Sequence, residues 1–271
     1  MSKKEAVMNE NYPRKGLFDT EERTLFCSKV SREYHLSVAL PPGYATSSQA
    51  YPVIYLLDGD LLLGMAAGLT PVSHWMLGTP EVIIVGINYD MESYDQFEKL
   101  RELDFKIPEV KDAPTDSYAD RFLNALSQEI VPFIEANYRT VPSDRCLYGY
   151  SSSGFFVLYA LFHQPDAFRR YLSGSGDLYI AYPYLIQHDA QLATRKTTNP
   201  IQLYLSAGEL EQQQFPFFHQ LIAFIEKGKY PGLTLITETY PGEKHGAEGM
   251  ALTYLHGIRS VYQTVTDKHT P

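Results

Sequence analysis

Apolar residues in this chain fall into short runs separated by polar and turn-forming residues. VIYLL at 53–57 and VIIVGI at 82–87 are continuous and rich in β-branched residues, as strands buried on both faces should be. Between them, residues 65–77 read as a helix, weakened by Gly68 and Pro71. Phe122, Leu126, Ile130, Phe133 and Ile134 recur at helical spacing, which predicts a helix over 118–138 kinked at Pro132. The alternation then continues, with strands predicted at 145–149, 170–174, 201–206 and 233–240 and helices at 152–163, 215–227 and 246–265. Upstream, 24–31 and 35–40 are β-rich and so closely spaced that they are expected to pair antiparallel. Strands alternating with helices imply crossover connections and a mostly parallel sheet with helices on both faces, an α/β fold. Residues 1–20 are expected as an arm and 21–271 as one domain.

Charge and composition narrow the classes of partner. The chain carries 23 basic and 32 acidic side chains among its 271 residues, a net charge of −9. That balance argues against nucleic acid or an anionic membrane surface as the partner and leaves a small molecule. No apolar run approaches the ~18 residues of a membrane span. The polar opening stretch lacks the apolar core of a secretory signal, so a cytoplasmic location is expected. Cys27 and Cys146 have no metal-ligand spacing and are expected as buried, reduced thiols.

The densest chemistry lies at 145–154, RCLYGYSSSG. A buried strand runs into small residues and then into an apolar helix, the context a nucleophilic serine requires. The sharp turn needs small residues two before and two after the nucleophile, because the neighbouring backbone crowds both positions. Gly149 and Ser153 stand there for Ser151. With Ser152 as nucleophile the first crowded position would hold Tyr150, which is too large, so Ser151 is preferred. The competing reading is a Ser/Gly cluster that only caps a helix.

With this motif and the segments below, the chain resembles the putative-esterase branch of the α/β-hydrolases, which includes ferric-siderophore esterases and, more distantly, mycolyltransferases. The resemblance covers about residues 24–262. It rests on LPPGY at 40–44, YPVIYLLDGD at 51–60, GYSSSG at 149–154, PDAF at 165–168, GELE at 208–211 and YPGEKH at 240–245. Two departures stand out. Ser153 replaces the family's usual glycine, and GSGDLY at 174–179 replaces a run of the Ser-Pro-Ser-Leu-Trp type.

The resemblance implies an α/β-hydrolase fold with the chain order serine, acid, histidine. Among eight histidines, only His245 combines a late position with a loop at the C-terminal end of a predicted strand, where ligands gather in open α/β sheets. The acid should follow the strand at 201–206, where Glu209 and Glu211 compete. Glu211 is preferred, because α/β-hydrolases commonly place the acid three residues after such a glycine. The resemblance further assigns the oxyanion donors to the backbone amides of Asp60 and Ser152, with the Asp60 side chain turned away. Asp58 and Asp60 have no clustered His or Cys beside them, so no metal is expected. GSG at 174–176 is too short for a dinucleotide loop, so no organic cofactor is expected either.

The segments 88–117 and 177–199 are expected to roof the site. The first holds nine carboxylates and four cations, more than half of the chain's net charge. A roof of that sign repels polyanions such as a ferric triscatecholate and favours short, uncharged esters. Arg101 is a candidate to pin a substrate carboxylate or carbonyl, the competing reading being a local helical pair with Asp104. Tyr150 and Tyr179, with Tyr182 and Tyr184, are candidates for an aromatic wall around an acyl or aryl group. The expected activity is therefore ester hydrolysis through an acyl-enzyme. Acyl transfer to an alcohol and a catalytically silent binding role are the alternatives.

Overall fold

The computed structural model describes residues 19–89, 93–105, 107, 118–196 and 199–262. Most of the expected arm lies outside them. Eight strands form one sheet: β1 (Thr20–Cys27), β2 (Arg32–Ala39), β3 (Tyr51–Leu56), β4 (Ile83–Asn88), β5 (Thr140–Tyr150), β6 (Arg170–Gly174), β7 (Ile201–Gly208) and β8 (Leu233–Tyr240). Their spatial order is β1-β2-β4-β3-β5-β6-β7-β8. β2 runs antiparallel to both β1 and β4, and every other neighbouring pair is parallel.

The parallel strands alternate between two apolar layers. Val53 and Tyr55 of β3 join one core; Ile54 and Leu56 join the other. The smaller core is covered by α1 (Gly59–Leu77) and α9 (Ala247–Tyr262), which contribute Leu62, Leu63, Ala66, Tyr254 and Ile258. The larger is covered by α2 (Tyr94–Phe105), α3 (Tyr118–Ala125), α4 (Val131–Asn137), α5 (Ser152–His163), α6 (Leu178–Leu185), α7 (Ala190–Ala193) and α8 (Phe215–Gly228). Helix α5 is apolar nearly all round because it is buried nearly all round, Phe155 to Phe162 without a break. Cys27 and Cys146 are both buried free thiols.

Three local differences from the sequence expectation have physical causes. The β1–β2 turn falls at 28–31, four residues earlier than the pattern suggests. There the Ser28 and Lys29 amides bond the Glu129 carboxylate, a tertiary partner about a hundred residues away. Instead of a simple kink at Pro132, the chain makes a π-helical turn over Leu126–Ile130 just before the proline. The wider turn accommodates a residue that has no N–H to donate and whose ring crowds the preceding turn. Helix α1 starts at Gly59, directly after β3, and continues through Pro71, where Thr70 Oγ1 donates to the Ala66 carbonyl at 2.7 Å.

The strand order reverses between β3 and β5. From β3 the chain moves outward to β4, then returns to place β5 on the other side. Crevices at such switch points, beyond the strands' C-terminal ends, are where open α/β sheets bind ligands. The ends of β3 and β5 carry residues 58–60 and Ser151.

The core on the α5 side depends on Phe156, fully buried, with ring centroids 5.2 Å from Phe105 and 5.0 Å from Phe122. Phe156→Ala is expected to cost about 3–5 kcal/mol. Urea unfolding should show this as a lower midpoint at unchanged slope.

Candidate active site

At the end of β5 the chain turns abruptly into α5, and Ser151 adopts φ 62°, ψ −130°. A residue with a side chain avoids this region, at a cost on the order of 1–3 kcal/mol, unless its surroundings over-determine it. They do so here. A Cβ on Gly149 would stand 2.3 Å from the Ser153 carbonyl oxygen, and one on Gly154 would stand 2.5 Å from that of Gly174. The Ser151 amide donates to the Gly174 carbonyl of neighbouring β6 at 2.9 Å. Ser153 is fully buried; its hydroxyl accepts from the Tyr150 amide at 3.0 Å and donates to the Tyr150 carbonyl at 2.9 Å. The departure from glycine thus adds a clasp to the turn.

His245 stands in the loop after β8, and Glu211 in the turn after β7. His245 Nδ1–H donates to Glu211 Oε2 at 2.9 Å. The other carboxylate oxygen receives Ser175 Oγ–H at 2.6 Å and the Gly208 amide at 2.8 Å. Burial by itself would raise Glu211, but its bonds from His245, Ser175 and Gly208 outweigh that and hold it below the usual carboxylate range. The Glu211 hydrogen bond, opposed by burial, raises His245 above its ordinary value. With the proton fixed on Nδ1, the neutral ring presents Nε2 as an acceptor. Glu209 points elsewhere, its carboxylate accepting from the Gly242 amide at 2.9 Å.

No sequence signal marks Ser175 for this role; it lies in the run of small residues directly after β6, and its hydroxyl reaches across to the β7 turn. Tyr150 was expected against substrate. The structure places it behind the imidazole instead, only 2% exposed, with its ring 5.1 Å from His245 and its hydroxyl accepting from Gly246 N–H at 3.3 Å. It connects the elbow to the histidine loop.

Asp60 and Ser152 stand in the first turns of α1 and α5. Amides there face outward at the positive end of the helix dipole. The Asp60 carboxylate is turned to the Tyr89 amide, 2.6 Å away. Ser152 Oγ donates to Asp177 at 2.7 Å.

A cleft of about 760 Å³ opens beside Ser152, between α2 and α6. Phe105, Phe155, Ile180, Pro183 and Tyr184 give it an apolar lining. Asp95, Glu98, Glu102 and Asp177 face it with Lys99 and Arg101. The described parts of the two expected roof segments do flank the cleft, but the tyrosine among its lining residues is Tyr184, not Tyr179. Arg101 is 7% exposed and engaged: Nε and Nη2 donate to Asp58 at 2.7 and 3.0 Å, and Nη1 to Glu98 at 2.9 Å. The helical pair with Asp104 does not form. Asp104 is buried in another direction, accepting from Tyr34 and Tyr89 hydroxyls at 2.8 and 2.9 Å and pairing with Arg32.

Comparison with known proteins agrees with this architecture. A family model described as putative esterase matches residues 27–212. Over 209 residues the chain is 32% identical to a ferri-bacillibactin esterase of Bacillus subtilis, covering 71% of each protein. It is 28% identical over 187 residues to a siderophore triacetylfusarinine C esterase of Aspergillus fumigatus, covering 66% of this chain and 63% of that one. The fold superposes on siderophore hydrolase EstB of Aspergillus nidulans with a TM-score of 0.80, at 20% identity, covering 97% of this chain and all of the other. These neighbours share the α/β-hydrolase fold.

The Glu211–His245 bond sets a measurable proton affinity. An NMR titration of His245 should give a midpoint above its ordinary 6.5. In Glu211→Gln, which removes the acceptor charge, that midpoint should move down.

Proposed function

Because the chain belongs to the putative esterase family, a family of carboxylic ester hydrolases, we propose that it works as a serine esterase through Ser151, His245 and Glu211. The observation that carries this reading is the buried Glu211 carboxylate, bonded by three donors and holding His245 Nδ1–H on the loop against which Tyr150, Ser151's neighbour, packs.

Ser151 Oγ attacks the ester carbonyl carbon while His245 Nε2 takes the hydroxyl proton. The carbonyl π pair moves to oxygen, and the oxyanion is received by the amides of Asp60 and Ser152. Collapse expels the alcohol, which takes the proton from His245 and leaves an acyl ester on Ser151. Water then repeats the sequence with the same base and frees the acid. Glu211 remains ionised throughout; it fixes the tautomer and stabilises the imidazolium. The base must be neutral, so kcat/KM rises with pH through the His245 midpoint.

The names of the two relatives make a siderophore ester the natural substrate candidate. Charge decides among such esters. Among the described residues, four carboxylates face the cleft against two cations, one of them occupied by Asp58 and Glu98, so an anionic substrate is disfavoured. A ferric triscatecholate is a trianion. A ferric trihydroxamate is neutral, because three singly charged ligands balance the metal, and a short alkyl ester is neutral as well. The preferred substrate is therefore an uncharged ester.

Two experiments test the reading. Ser151→Ala should lose at least ~10³-fold in kcat with the fold intact. Glu211→Gln should cost up to ~10⁴-fold and far more than Glu209→Gln; the reverse ranking would move the acid to Glu209. For substrate, kcat/KM is compared among a short nitrophenyl ester, a ferric trihydroxamate triester and a ferric triscatecholate trilactone at two salt concentrations. The neutral esters should be faster, and added salt should help only the trianion. A trianion turned over fastest and weakened by salt would overturn the charge assignment.

A further inference from the structure

The turn between β3 and α1 is held on three sides. Asp58, at its first corner, has φ 58°, a left-handed conformation unusual for a residue with a side chain. Its carboxylate is buried and takes a bidentate bond from Arg101, which reaches it from α2. Gly59 lies so close to β4 that a Cβ would stand 2.7 Å from Gly86 Cα and 2.3 Å from Asn88 Oδ1. The third residue, Asp60, is anchored by its carboxylate to the Tyr89 amide. Among the described residues, the strained backbone at Asp58 thus has one ionic partner, and that partner comes from the wall of the substrate cleft.

Arg101 is poorly placed to meet substrate charge. Three of its nitrogens already donate to carboxylates, and its guanidinium lies 5.0 Å from the centre of the Phe97 ring. A planar guanidinium matches a carboxylate through two parallel bonds, which fixes orientation as well as distance. Burial pushes the Asp58 carboxyl up, but Arg101 and the elbow hydroxyl of Ser153 both favour its ionised form. The carboxylate of this turn residue is therefore tied directly to Arg101 of α2.

We propose that Arg101 is a positioning residue: through Asp58 it fixes the β3–α1 turn so that the Asp60 amide meets the same oxyanion as the Ser152 amide. This rests on the serine-esterase reading and deepens it, replacing the substrate contact that the sequence suggested for Arg101. The geometry of the hole is sensitive to this bond because loss of one oxyanion donor costs ~10²–10³-fold in kcat.

The test uses an uncharged short-chain nitrophenyl ester, which offers Arg101 no charge to bind, and a matched ester bearing a carboxylate. Arg101→Gln should lower kcat by ~10²-fold on both esters with KM within about threefold. Affinity for a boronic acid that forms a tetrahedral adduct on Ser151 should fall by a similar factor. Asp58→Asn, nearly isosteric, should reproduce the kcat loss, and the double variant should lose no more than the worse single variant. If Arg101→Gln does not fold, Asp58→Asn alone carries the same kcat and boronate comparison. A KM increase confined to the carboxylate-bearing ester, at unchanged kcat, would make Arg101 a substrate contact and overturn the proposal. Unchanged kcat and boronate affinity in both folded variants would overturn it too. A Ser151→Ala enzyme that still hydrolysed the ester would instead defeat the serine mechanism itself, an outcome separate from the Arg101 results.

Discussion

The constraint on which the rest depends is the close approach of backbones at the end of β5. The chain leaves a central buried strand and enters a buried helix with no room for a loop, so Ser151 is driven to φ 62° at the C-terminal end of the strand. That geometry survives because Gly149 and Gly154 admit the neighbouring carbonyls and because β6 bonds the Ser151 amide. Hydrogen bonds that would stabilise a relaxed turn are replaced by bonds to Tyr150 and Gly174, each from a different part of the elbow. The strain is local, and the two cores packed against α5 and β5 oppose its release.

Around that turn, two buried carboxylates are partnered by different means. Glu211 is bonded by a ring N–H, a hydroxyl and a backbone amide, neutral donors apart from a protonated histidine, so its charge is stabilised without a permanent counter-ion that would compete with imidazolium. Asp58 has a permanent cation, Arg101, in bidentate contact. The first arrangement suits a group that must respond as a proton moves nearby. The second suits a fixed strut, since an arginine does not release its proton at any working pH. Asp104 with Arg32, Tyr34 and Tyr89 forms a third buried polar cluster on the same side, fastening α2 to the antiparallel edge of the sheet. Helix α2 therefore carries two anchors, Arg101 and Asp104, together with carboxylates that face the cleft.

In the proposed reading, the balance of apolar floor and acidic wall sets the selectivity of the cleft. Phe105, Phe155, Ile180, Pro183 and Tyr184 offer area to an acyl or aryl group, which is rewarded roughly in proportion to the apolar surface buried. The carboxylates add nothing for a neutral group and oppose an anionic one. Screening by salt weakens this opposition at the cleft's mouth far more than at buried Asp58 or Glu211.

Much of the architecture was legible in the chain. Alternating apolar runs identified the parallel strands, and α5, β6 and β8 fall within the predicted bounds, because a strand or helix buried on all sides leaves a continuous apolar signal. Candidates for nucleophile, base and acid could also be named, since a serine elbow needs small residues at fixed spacing and the fold orders the other two along the chain. The hairpin register, the π turn before Pro132, the Ser175 bond to Glu211 and the partner of Arg101 were not legible. Each is decided by a group distant in sequence or by how a turn relieves a local clash. Asp104 is three residues from Arg101, whereas Asp58 is 43 residues away, yet the bond goes to Asp58. Sequence spacing favours the local pair, but packing of α2 against α3 and α5 sends the two side chains to different partners: Asp104 to Arg32, Tyr34 and Tyr89, and Arg101 to the turn that starts α1. The sequence determined which groups exist and which strand ends present them; tertiary packing decided which buried charges meet, because only the folded interior removes the water that would otherwise satisfy them separately.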